Sequence, residues 1–153
     1  MFDWSAWRVK LGPWVPLALR LTLGFVFLWS GLSKFGLDDN AIGVCTNRTE
    51  AINLVSFYAW LPFDPELFVT VQSVGEIILG LALMVGWGVE VAAALASLLL
   101  LSFFAWLDFS LVWKNMALLG ASLSLLGLPP DSWRLDRKFH REPPAIPPAP
   151  ASI

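Results

Sequence analysis

Apolar residues dominate four stretches of the chain, residues 14–34, 67–87, 89–107 and 111–128. A transmembrane helix needs about 20 predominantly apolar residues, so each stretch is of spanning length. The breaks between them carry turn chemistry. Gly86, Trp87 and Gly88 separate the second and third, and Asp108, Phe109 and Ser110 separate the third and fourth. Pro129 and Pro130 stop the fourth, because proline cannot continue a helix. Two short breaks force antiparallel hairpins, and an even number of spans puts both termini on one side. The pattern predicts an all-α fold: an antiparallel bundle of four transmembrane helices occupying residues 1–136.

The one long connection, residues 36–66, divides in two. Its first half has no periodicity. Its second half, residues 49–61, carries Ile52, Val55, Tyr58 or Ala59, and Leu61 or Pro62 at helical spacing, with Asn47 or Thr49 placed to cap the start. It predicts a short helix on the outer membrane surface, acting as a lid on the bundle or as a docking element. Beyond residue 136 the chain is polar and then rich in Pro and Ala, and residues 137–153 are expected to be a disordered tail. The first span is longer than a signal-peptide core, contains Arg20 and lacks an A-x-A-like cleavage site, so it reads as a retained helix.

Composition sharpens this picture. The chain is 57% hydrophobic and 14% charged, with a mean hydropathy of +0.67. Soluble domains are about 25% charged, so lipid is the main solvent here. Nine Trp against one Tyr fit interfacial anchoring. Lys and Arg flanking the spans number six on the terminal side (Arg8, Lys10, Arg134, Arg137, Lys138, Arg141) and three on the other (Lys34, Arg48, Lys114). That bias predicts both termini in the cytoplasm; the membrane itself is expected to be a bacterial inner membrane. A net charge of -2 leaves no basic surplus for nucleic acid. Single Cys45 and single His140 exclude a disulfide, a CxxC pair, a bis-histidine haem and an iron–sulfur cluster within this chain. No metal site and no intrinsic cofactor are expected, and Cys45 faces the outer compartment as a free thiol or an intermolecular partner. Asn47, Arg48 and Thr49 form a glycosylation sequon, which matters only in a eukaryotic secretory setting.

Charges inside a span are costly and usually face the bundle interior. Arg20, Gly24, Phe27, Gly31 and Lys34 share one face of span one. On span two, Gln72 and Glu76 lie one turn apart. Lys114 and Asn115 open span four as further polar positions. Gly24, Gly31, Gly75, Gly80 and Gly120 are candidate packing positions, where small residues let helices approach. Arg20 lies about 9 Å from the start of its span and Glu76 about 16 Å from the same membrane side, at 1.5 Å per residue. The expectation is a buried or half-buried Arg20–Glu76 pair, fixing helix register, holding a polar head group such as a quinone carbonyl, or handling a proton at the carboxylate.

These residues also carry a resemblance. Arg20, Gly24, Phe27, Gly31 and Lys34 resemble the opening helix of the DoxX family, with its Arg, Gly, Phe-Leu and Gly-x-x-Lys. Glu76, Gly80, Leu83 and Gly86 resemble its second-span pattern. Lys114, Asn115, Leu118 and Gly120 are similar to a third motif, and Ser132 to Asp136 to its closing Ser-x-Asp element. The resemblance covers about residues 17–136. It implies a four-helix membrane protein related to a small subunit of a thiosulfate:quinone oxidoreductase and to subunits of other membrane redox or thiol-stress complexes. It supplies no catalytic residues, and the absence of a cysteine pair here departs from the redox-active relatives. The leading reading is an accessory or structural subunit of a membrane redox assembly, not catalytic on its own, contacting lipid, partner subunits and a bound quinone or lipid. The alternatives are a quinone-interacting oxidoreductase subunit with a site lined by Arg20, Glu76 and Trp29, and a small-solute transporter with an aqueous path past Arg20 and Lys34.

Overall fold

The computed structural model describes residues 11–37, 47–57, 62–104 and 109–136. Cys45, the first half of the long loop, Tyr58 to Leu61 and the tail after Asp136 lie outside the described residues. All described elements are helices: α1 (Trp14–Leu32), α2 (Arg48–Phe57), α3 (Pro65–Val85), α4 (Val89–Phe104) and α5 (Phe109–Gly127). α1 runs on into a π-helical turn, Ser33–Leu37.

Local chemistry sets the boundaries. Asp64 caps α3 by accepting from the Leu67 amide at 3.0 Å, with Pro65 in the first turn, where its missing N–H costs nothing. Gly86 ends α3 at φ +79°, in the left-handed region that favours glycine. Asn47, one of the two caps expected, accepts from the Glu50 amide at 2.8 Å at the start of α2. α2 packs on α3 and the π turn, and Arg48 donates to the Thr70 hydroxyl at 3.1 Å.

α1 and α3 form the most extensive helix pair, and α4 and α5 the next. The α1–α3 contact is close because of glycine. A Cβ on Gly24 would meet Met84 Cγ at 2.7 Å and the Gly80 carbonyl at 2.9 Å, and one on Gly80 would meet the Leu28 amide nitrogen at 2.5 Å. Gly31 is likewise pressed on Ser73 and Ile77. Gly75 and Gly120 differ from the expectation. A Cβ on either would touch nothing within 4 Å, because both lie off the faces that meet another described helix. Leu23, Phe27, Leu83, Ala93, Ala96, Leu100 and Leu125 fill the space among α1, α3, α4 and α5. The Ser97 and Ser122 hydroxyls join α4 to α5 at 2.8 Å.

Among the described residues, large apolar side chains cover the long helices and five charged side chains are buried. Leu21, Phe25, Val71, Val74, Ile78, Leu81, Leu95, Leu98 and Leu123 are exposed, whereas Arg20, Lys34, Glu76, Asp131 and Arg134 are buried. Two helices, Trp14–Phe35 and Pro65–Val85, are long and apolar enough to cross a membrane. The core helix of a soluble protein would be mostly buried. Here only 33% and 28% of their apolar windows are, so the exposed apolar faces require an apolar solvent.

The seam yields a stability contrast. Gly80→Val should lower the stability of the detergent-solubilised protein by about 1–3 kcal/mol, as overpacking does. Gly75→Ala and Gly120→Ala should stay within about 0.5 kcal/mol of the parent. Thermal unfolding followed by loss of monodisperse elution measures all three, and a Gly80→Val protein as stable as the parent refutes the seam.

Candidate functional site

Polar side chains gather at the two ends of the α1–α3 pair. A helical side chain leans toward its own N-terminus. α1 and α3 are antiparallel, so Lys34 reaches back along α1 into the bundle while Glu76 reaches along α3 to meet it. Lys34 Nζ lies 2.5 Å from Glu76 Oε2 and donates to the Ser30 hydroxyl at 3.1 Å. Gln72 Nε2 donates to Glu76 Oε1 at 3.0 Å. Both charged groups are buried. Glu76 is about 16 Å from the start of α3, counted at 1.5 Å per residue. Its charge therefore lies deep in the span, and both carboxylate oxygens have donors. Lys34 sits in the π turn, a wider turn that is frequent at functional sites.

Arg20 leads the second cluster, and its geometry corrects the expected Arg20–Glu76 pair. Its side chain leans toward the N-terminal end of α1, away from Glu76. There it meets the C-terminus of α3, whose last carbonyls lack helical partners. Nη1 donates to the Leu83 and Met84 carbonyls, both at 2.8 Å. A cation at a helix C-terminus also complements the negative end of its dipole. The ionic partner of Arg20 is Asp131, with Nε 3.3 Å from Oδ2 and Nη2 donating to Oδ1 at 3.4 Å.

Asp131 opens a short strap, residues 131–136, that folds back after α5. Its Oδ1 accepts from the Trp133 amide at 3.0 Å, and its Oδ2 lies 3.5 Å from Arg134 Nε. Arg134 also pairs with Glu90 in the first turn of α4. Asp136 Oδ1 accepts from the Gly88 amide at 2.9 Å, placing a carboxylate at the N-terminus of α4, and its own amide donates to the Gly86 carbonyl at 3.3 Å. One strap thus touches the N-terminal half of α1 through Arg20, the end of α3 and the start of α4. Gly86 leaves the room: a Cβ there would meet Arg20 Nη1 at 2.5 Å.

The sequence reading found Arg20, Glu76, Lys34 and Gln72 but paired them wrongly, because it counted axial distance and left out side-chain direction. It missed Asp131, Arg134, Glu90 and Asp136 as members of the site. The signal was present: Asp131 and Arg134 are three apart just after the helix stop at Pro129 and Pro130. Lys114 and Asn115 lie in the first turns of α5, exposed and half-buried respectively. Trp29 is exposed and stacks on Phe25, ring centroids 6.1 Å apart, so Arg20, Glu76 and Trp29 do not line one site. An open apolar groove of about 290 Å³ lies instead between α1 and α5, lined by Val15, Ala18, Leu19, Thr22, Leu118 and Ala121 among others.

The pairing is testable by mutant cycles. Lys34→Met and Glu76→Leu should each cost about 3–5 kcal/mol, as loss of one partner of a buried ion pair does, and the double variant should cost well under their sum. The Arg20→Met, Glu76→Leu cycle should be additive to within about 0.5 kcal/mol, because the two groups share no partner. Reversible unfolding in mixed micelles gives all the values; coupling between Arg20 and Glu76 with none between Lys34 and Glu76 would restore the discarded pair.

No curated protein and no solved structure matches the chain. The family model DoxX matches residues 15–110. The matched segment contains α1, α2, α3 and α4, with Arg20, Lys34 and Glu76, whereas the strap lies beyond it. It spans well over half of the sequence, and with the charged-inside, apolar-outside helices it shows that the chain belongs to the DoxX family of membrane proteins.

Proposed function

We propose that this protein is a four-span membrane subunit, with both termini in the cytoplasm of a bacterial inner membrane, that serves as an accessory or structural component of a larger membrane redox assembly. One observation carries the reading. The buried charges Arg20, Lys34 and Glu76 are engaged in internal ion pairs and helix capping, while the outward faces of α1 and α3 are mainly apolar. Buried pairs of this kind fix helix register and orientation. What remains for a partner is a rigid apolar exterior.

The same geometry weakens the two alternatives. A quinone head group held between Arg20 and Glu76 has no support, since the two side chains diverge. An aqueous solute path along the Arg20-to-Lys34 face has none either, since Gly24 and Gly80 close that seam backbone against backbone. The place left for a lipid or quinone tail is the open α1–α5 groove, whose apolar lining suits a hydrocarbon chain. α2 covers the outer end beside Lys34 and offers a second contact surface at the membrane.

Two measurements on the native membrane test the proposal. Cys45 should react with a membrane-impermeant thiol reagent added outside, while a cysteine placed at Ser152 in a Cys45→Ser background should not. Gentle solubilisation should then yield this chain at fixed stoichiometry with other membrane subunits. Recovery alone or as a homo-oligomer would remove the accessory reading.

A further inference from the structure

α2 lies at the end of the α1–α3 pair that holds Lys34 and Glu76. It packs on α3 and on the π turn in which Lys34 sits. Glu76 leans toward that same end, because a helical side chain points toward the N-terminus of its helix. Beside α2 is therefore a polar cluster: the Lys34 ammonium, the Glu76 carboxylate, the Gln72 amide and the Ser30 hydroxyl, joined by contacts of 2.5, 3.0 and 3.1 Å. Lys34 and Glu76 are 3% and 2% exposed, so water is kept from two groups that it would solvate.

The cover is held lightly. In α2 Ala51 is buried, Ile52, Leu54 and Val55 are half-buried, and Thr49, Glu50, Asn53, Ser56 and Phe57 are exposed. A helix of ten residues is too short to persist on its own, and a segment with few buried apolar contacts opens at low cost. Among the described residues, a polar tie to α3 is the Arg48 guanidinium donating to the Thr70 hydroxyl at 3.1 Å, while that hydroxyl donates to the Glu66 carbonyl at 2.7 Å.

We propose that α2 is a gate: it lifts from Thr70 and admits water and small hydrophilic solutes to the Lys34–Glu76 cluster. The route ends at the cluster. Beyond it Gly31 is pressed on Ser73 and Ile77, and Gly24 on Gly80, which closes the seam. The gate thus gives the aqueous phase intermittent contact with a carboxylate set deep in a span, and Glu76 exchanges its proton with water while α2 is lifted. The inference does not use the accessory reading, and it holds in either orientation of the chain in the membrane.

The test uses the full chain in lipid nanodiscs. Ser30→Cys in a Cys45→Ser background puts a near-isosteric thiol in the cluster. A small charged thiosulfonate then reports the thiols that water reaches, with the rate read by mass spectrometry. The Ser30→Cys rate should fall well below that of Ser56→Cys, on the exposed side of α2. It should exceed that of Ser97→Cys, which is buried between α4 and α5. Arg48→Met should speed the Ser30→Cys reaction about tenfold, since a hydrogen bond from a charged donor is lost, and leave the Ser97→Cys rate unchanged. Thr70→Ala cuts the same tie from the other side and should act alike. A Ser30→Cys thiol that is inert in every background, or as reactive as Ser56→Cys in the parent, overturns the gate. So does a rate indifferent to both Arg48→Met and Thr70→Ala. Equal acceleration at Ser30→Cys and Ser97→Cys overturns it as well, because the whole bundle has then loosened.

Discussion

The antiparallel contact of α1 with α3 governs the rest of the structure. Lipid gives helices no hydrophobic reason to associate, so packing and polar pairing must hold them. Gly24, Gly31 and Gly80 bring the two backbones together along the middle of the seam. At this spacing no long polar side chain fits between them. The charges of α1 are therefore displaced to the ends, Arg20 at one and Lys34 at the other, fourteen residues apart on one face. Each finds its partner at its own end, and a one-residue slip would rotate the glycines and both charges off the seam together.

The two ends differ in how they are closed. At the Lys34 end the partners all come from α1 and α3, so the cluster is complete once those helices pack. At the Arg20 end Asp131 comes from beyond α5, and Arg134 from the same strap reaches α4. That cluster forms only when all four long helices are in place. Its components are individually modest, but they share one carboxylate. Removing Asp131 would leave Arg20 and Arg134 side by side without their common counter-ion.

Much of this fold was legible in the sequence because its main signals are one-dimensional. Span length, turn residues and helix stops need no tertiary information, and the helix ends fall within a few residues of the expected limits wherever they are described. The stripe of Arg20, Gly24, Phe27, Gly31 and Lys34 was legible as a buried face for the same reason. Its partners were not. Pairing Arg20 with Glu76 required an axial offset, which the sequence supplies, and a side-chain direction, which becomes decisive only once antiparallel packing is imposed. The lean of side chains toward helix N-termini turns Arg20 and Glu76 apart and Glu76 and Lys34 together. Gly75 and Gly120 illustrate a related limit: a small residue permits close approach but does not say which face is approached.

Asp131 and Asp136 show why the last helix is not the end of the membrane domain. Helix termini leave carbonyls and amides without partners, and at a membrane surface they compete with headgroups as well as water for satisfaction. The α3–α4 turn is only three residues, too short to cap both helices from within. Gly86 and Trp87 turn their amides back to Ala82, which serves one carbonyl of α3. The next two go to Arg20 and the first amide before α4 goes to Asp136. The two helix ends of this hairpin are thus completed by a side chain from 63 residues earlier and a carboxylate from 48 later. The strap is part of the fold because the hairpin it covers is too tight to satisfy itself.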